Sequence, residues 1–89
     1  MSKNKNVLII DSNIGNIGSV YRALNKLDYK PLISNKKKDF ENVSHIILPG
    51  VGSFDYGMKF LKDYDLIESL NIAVKQRGIP LLGICLGMQ

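Results

Sequence analysis

Short apolar runs alternate along this chain with longer stretches in which apolar residues recur every three or four positions. Val7-Leu8-Ile9-Ile10 is a branched aliphatic run closed by Asp11. A run without polar alternation reads as a strand buried on both faces, as in parallel sheets. Ser12-Asn13-Ile14-Gly15-Asn16 is turn and capping chemistry. Ile17, Val20, Tyr21, Leu24 and Leu27 then share one face of a helix over about 16 to 27. Pro31-Leu32-Ile33 is a second, weaker strand, and the polar stretch 34–42 holds a loop or one short helix.

His45-Ile46-Ile47-Leu48 is a third strand, which Pro49-Gly50-Val51-Gly52 is expected to stop. Phe54, Met58 and Leu61 follow at helical spacing, as do Leu66, Leu70, Ala73 and Val74. Gly78 and then Pro80 stop that helix, and 79–84 is the fourth strand. The order β-α-β-(α)-β-α-β predicts an α/β domain of three layers: a parallel sheet with helices on both faces, of flavodoxin-like topology. Ligands of such folds bind at the carboxyl ends of the strands. Residues 11–16, 49–52 and 85–89 all arrive at that rim.

Composition narrows the class without changing this picture. Eighty-nine residues make one small domain, 45% hydrophobic and 22% charged. No apolar run is long enough to cross a bilayer, and the polar start lacks the apolar stretch of a signal peptide. A cytoplasmic protein is therefore expected. The net charge of +4 draws on Lys3, Lys5 and Lys36-Lys37-Lys38. No basic face interleaved with aromatics accompanies them, so a solvated tail and loop are expected rather than a nucleic-acid surface. One cysteine excludes an internal disulfide.

That cysteine carries the candidate chemistry. Gly83-Ile84-Cys85-Leu86-Gly87 has the form of a nucleophile elbow with Cys in place of Ser. Side chains two residues either side of the nucleophile would collide in so sharp a turn, which explains the glycines. A helix beginning there would favour the thiolate, and the Leu86 N–H would point where an oxyanion forms. The alternative is a small buried cysteine at a glycine-bounded strand end. Pro49-Gly50-Val51-Gly52 can expose backbone N–H groups as the second half of an oxyanion hole, or can serve as an ordinary strand-to-helix loop. His45 starts a strand at the opposite end from the rim and is not expected to act as a base.

Taken together, Leu48-Pro49-Gly50-Val51-Gly52-Ser53-Phe54 and Gly83-Ile84-Cys85-Leu86-Gly87-Met88-Gln89 resemble the class I (triad) glutamine amidotransferases. Within that family they are most similar to the glutaminase branch serving imidazole glycerol phosphate formation in histidine biosynthesis. The resemblance implies that Cys85 is the nucleophile on glutamine. Backbone N–H groups of Leu86 and of Val51 or Gly52 would form the oxyanion hole. Gly50, Gly52 and Gln89 would bind the substrate. Asn16 would lie at the interface with a (β/α)8-barrel synthase (cyclase) subunit, which receives the ammonia in a heterodimer; the same residue also reads as a helix cap. The resemblance implies no cofactor and no metal.

The chain departs from the family at Asn13, where many relatives carry glycine. Moreover, the family's catalytic histidine and its orienting glutamate lie downstream of residue 89. Residues 1–89 thus read as the N-terminal portion of a single amidotransferase domain, incomplete at the C-terminus and inactive on its own. Two other functions stay open. A paralogous glutaminase for surface-sugar biosynthesis would share these motifs. A non-catalytic flavodoxin-like binding module would share the fold, although Pro49 stands where a phosphoacceptor aspartate would be wanted, and Gly15-Asn16-Ile17-Gly18 is no dinucleotide fingerprint.

Overall fold

Strands β1 (Asn6–Ile10), β2 (Lys30–Ser34), β3 (His45–Val51) and β4 (Leu81–Cys85) form one sheet in a computed structural model that describes residues 4–12, 17–51 and 54–85. Their order is β2-β1-β3-β4, and every pairing is parallel. Helices α1 (Ile17–Lys26), α2 (Phe54–Asp63) and α3 (Ile67–Asn71) fill the crossovers, with a 3-10 turn at Lys37–Phe40 and a π-helical turn at Ile72–Gln76. This is the expected α/β alternation.

β1 lies between two neighbours, and Val7 to Ile10 are each 2% exposed or less. Successive strand side chains point to opposite faces. Leu8 and Ile10, with Ile46 and Leu48 of β3, join Phe40, Val43, Phe60, Leu61, Leu66 and Ala73 in one core. The other face is thinner. There Val7, Ile47 and Leu82 meet Leu24 and Tyr29 around an apolar hollow of ≈ 420 Å³. Helix α1 follows the expected apolar stripe, yet none of its residues is fully buried, and Leu27 just beyond it is 67% exposed. On the core side, Arg77 ties the end of the π-helical turn to the 3-10 turn: its Nη1 donates to the Phe40 carbonyl at 2.7 Å.

The helices stop by one device. After α1, the Tyr29 N–H donates to the Leu24 carbonyl and the Asp28 N–H to the Asn25 carbonyl, with Asp28 at φ 67°. After α2, the Leu66 N–H donates to the Leu61 carbonyl and the Asp65 N–H to the Lys62 carbonyl, with Asp65 at φ 58°. Both are Schellman stops with aspartate in the left-handed position that glycine usually takes. Gly78, at φ 69°, ends the π-helical turn as the sequence predicts. Asp28 and Asp65 carry ion pairs as well, to Lys5 and Lys37. The Lys5 ammonium, by hydrogen bond and charge, holds the Asp28 carboxyl below its usual value.

Asp65→Gly and Asp65→Ala both delete the Lys37 ion pair, so their difference isolates the backbone. The glycine variant should be the more stable by ~1 kcal/mol, the left-handed penalty of a residue with a Cβ. Paired urea unfolding curves check it; equal midpoints would remove the steric argument.

One expectation is corrected. β3 does not stop at Leu48 but runs through Pro49 and Gly50 to Val51. The reason lies in its neighbours. Pairing with β1 ends at Ile47, while pairing with β4 continues through a register shift between Pro49 and Val51. In a strand a residue's N–H and C=O point the same way. The Pro49 carbonyl meets Ser12 beyond the end of β1, so its missing N–H faces a side where no ladder remains. Proline and glycine therefore make a bulge rather than a stop. β4 likewise begins at Leu81 and not at 79, because the Ile79 N–H is taken by the Ala73 carbonyl at 2.9 Å.

Candidate active site

The carboxyl ends of β1, β3 and β4 meet at one rim. The Asp11 N–H extends the β1–β2 ladder one step by donating to the Ser34 carbonyl at 3.1 Å. Ser12 then turns inward and is fully buried. Its hydroxyl donates to the Pro49 carbonyl at 2.9 Å. From the first turn of α2, the Tyr56 hydroxyl donates to the Ser12 carbonyl at 3.3 Å. One residue of the β1 end thus grips β3 on one side and α2 on the other.

On the far side of β3, Leu48 pairs with Gly83 and Pro49 with Ile84. Past the register shift, Val51 is the partner of Cys85. Gly50 is the extra residue of the bulge. Neighbouring strands lie about 4.8 Å apart, so the backbone at Val51 runs directly beside Cys85, the last residue of β4. Acyl transfer needs backbone N–H donors near the nucleophile, and β3 is the strand that runs beside Cys85.

Of the residues singled out in the sequence, Gly50, Val51 and Cys85 are therefore brought together at one end of one strand pair. Asn16, Gly52, Leu86 and Gln89 lie outside the described residues. His45 starts β3 at the opposite end, exposed, with its ring edge-on to Tyr29 and Nδ1 2.9 Å from the Ser44 hydroxyl. It takes no part in the rim, as expected. The apolar hollow under α1, which His45 helps to line, lies along the first residues of β3 and β4.

Two residues at the rim escape a reading of the sequence. Ser12 reads as turn chemistry, and Tyr56 is not among the residues that stand out in the sequence. Their partners lie 37 and 44 residues away, and no local periodicity encodes such a contact. The only signal is placement: Ser12 follows a strand end, where the topology gathers functional groups.

Comparison with known proteins agrees with this geometry. The sequence profile described as glutamine amidotransferase class-I matches residues 8–89. The chain is similar to imidazole glycerol phosphate synthase subunit HisH 2 of Methanococcus maripaludis, 46% identical over 92% of this chain and 41% of that protein. It resembles subunit HisH of a Geobacillus species, 48% identical over 91% of this chain and 38% of the relative. Against subunit HisH of Lactococcus lactis it is 45% identical over 96% and 42%. The chain thus spans about two-fifths of the length of these relatives. With a profile match over nearly the whole sequence, and with Cys85 at the end of a parallel strand beside the bulge at Pro49–Val51, this chain belongs to the class-I glutamine amidotransferase family.

Proposed function

We propose that this chain is the N-terminal portion of a glutaminase subunit that releases ammonia from glutamine for a synthase partner in imidazole glycerol phosphate formation. The observation that carries the reading is the pairing of Val51 with Cys85 across the carboxyl ends of β3 and β4. The Cys85 sulfur attacks the side-chain amide carbon of glutamine as thiolate. The carbonyl π electrons move onto oxygen, and backbone N–H groups of Val51 or Gly52 and of Leu86 hold that charge. The intermediate collapses, the C–N bond breaks, and nitrogen leaves as ammonia after taking a proton. Water then cleaves the glutamyl thioester, giving glutamate and the free thiol.

Gly50, Gly52 and Gln89 hold the substrate. The general base is the histidine that the family carries beyond residue 89, oriented by a glutamate. Ammonia passes to a (β/α)8-barrel cyclase subunit, with Asn16 on the contact between the two. All three relatives above bear the name of the imidazole glycerol phosphate synthase subunit. This favours histidine biosynthesis over the surface-sugar pathway, and with it a cytoplasmic enzyme. Among the described residues, no helix is long and apolar enough to cross a membrane.

A diazoketone analogue of glutamine tests the nucleophile directly. Incubated with the complete protein and its partner, it should add one adduct per chain, mapped by peptide mass to Cys85 and suppressed by excess glutamine. Labelling elsewhere, or labelling that glutamine does not suppress, would sink the assignment.

A further inference from the structure

Among the described residues, Ser12 is the buried polar side chain of an otherwise apolar interior. A buried hydroxyl is costly unless bonded, and this one is bonded to a particular carbonyl. Pro49 lies just before the bulge, and its carbonyl belongs to the Pro49–Gly50 peptide. That peptide is planar and trans. Fixing the oxygen on the β1 side therefore directs the Gly50 N–H to the opposite side, toward β4. Glycine at 50 leaves the chain free to rotate there, so nothing in the local sequence would hold this orientation. The register of the next residue, Val51 opposite Cys85, follows from it.

Tyr56 completes the device. From the first turn of α2 its hydroxyl donates to the Ser12 carbonyl. Ser12 thus holds β3 just before its bulge, and a residue of the first turn of α2 holds Ser12. We propose that Ser12 and Tyr56 are positioning residues of the glutaminase reaction, holding the Pro49–Gly50 peptide so that the backbone beside Cys85 stays turned toward the developing oxyanion. This rests on the glutaminase reading above. Neither side chain touches substrate. Both act through the backbone.

The effect belongs in the chemical step rather than in ground-state binding, because an oxyanion exists only after attack. In the complete protein with its partner, Ser12→Ala should lower kcat for glutamine hydrolysis by ~10- to 100-fold, the scale of a displaced oxyanion donor. KM for glutamine should stay within about threefold. The rate at which iodoacetamide alkylates Cys85 should not change, since thiolate formation does not use this contact. Tyr56→Phe removes one hydroxyl at a part-exposed site and should lower kcat by ~3- to 10-fold with an unchanged melting temperature.

A Ser12→Ala kcat within about twofold of wild type overturns the proposal. So does a parallel fall in hydrolysis, alkylation and ammonia-driven synthesis, which would mark a general structural loss. Where Ser12→Ala does not fold, Tyr56→Phe decides: reduced kcat at native stability supports the positioning role, and wild-type kcat refutes it. Cys85→Ala separates the two levels. Glutamine hydrolysis surviving that change would refute Cys85 as the nucleophile, on which the positioning role depends, whereas its loss beside a fully active Ser12→Ala would refute the positioning role alone.

Discussion

Cys85→Ala in the complete protein is expected to abolish glutamine-dependent product formation while sparing ammonia-dependent synthesis by the partner. The substitution deletes the only thiol in this chain. Among the described residues no group at the rim replaces it: His45 is at the far end of β3, and the carboxylates of Asp11 and Asp55 are weaker nucleophiles than a thiolate. The fall in glutaminase rate should be about 10⁴-fold or more, the scale on which covalent catalysis fails when its nucleophile is removed. Alanine fits the last position of β4 without a new polar group, so partner binding should persist. Steady-state rates with glutamine and with an ammonium salt, measured side by side, give the result. Loss of both activities would assign Cys85 a structural role instead. Retention of both would exclude it from the chemistry.

The sheet is legible in the sequence because its strands are short, continuous and branched. Val7 to Ile10 read as a strand buried on both faces, and that is where the sheet places them, between β2 and β3. The helix ends are legible only where glycine marks them. Gly78 announces its stop, but Asp28 and Asp65 do not, although all three hold the same left-handed backbone. Aspartate at that position is tolerated rather than preferred, so it carries no sequence signal of its own. The bulge at Pro49 is hidden for a related reason. Proline excludes a strand only where its missing N–H is needed, and need depends on where the neighbouring strand ends, which is a property of the fold and not of the local sequence.

The site divides along the same line. The meeting of Gly50, Val51 and Cys85 is legible because the proposed chemistry would require particular residue types in a tight spacing, and the parallel topology then fixes which strand ends meet. Ser12 and Tyr56 are illegible because serine and tyrosine are common at turns and on helices. Their meaning comes from partners brought together only by the crossover connections. The motif residues are thus readable one by one, whereas the contacts of Ser12 and Tyr56 exist only in three dimensions.

The same contrast between local pattern and tertiary placement predicts a large stability loss on truncating one leucine and a small loss on truncating another. Leu66 and Leu32 both stand in apolar stretches, and the sequence does not rank them. Leu66 is 0% exposed and forms the joint between α2 and α3. Its N–H closes the stop of α2 on the Leu61 carbonyl at 2.7 Å, and its carbonyl accepts the Leu70 N–H at 2.9 Å. Its side chain sits in the core with Phe60, Leu61 and Ala73. Leu32 lies on the edge strand β2 and is 46% exposed. Leu66→Ala keeps both backbone bonds but empties a site walled by the sheet and two helices, which has little room to collapse. It should cost ~3 kcal/mol, within the roughly 2 to 5 kcal/mol typical of such truncations. Against a domain stability of about 5–15 kcal/mol, that is a large fraction. Leu32→Ala removes area already half in water and should cost less than ~1 kcal/mol. Urea unfolding of the complete protein, at equal slopes, compares the two directly. Equal losses would mean that β2 is covered in the complete protein by a surface outside residues 1–89, and the edge strand would then have to be counted as core.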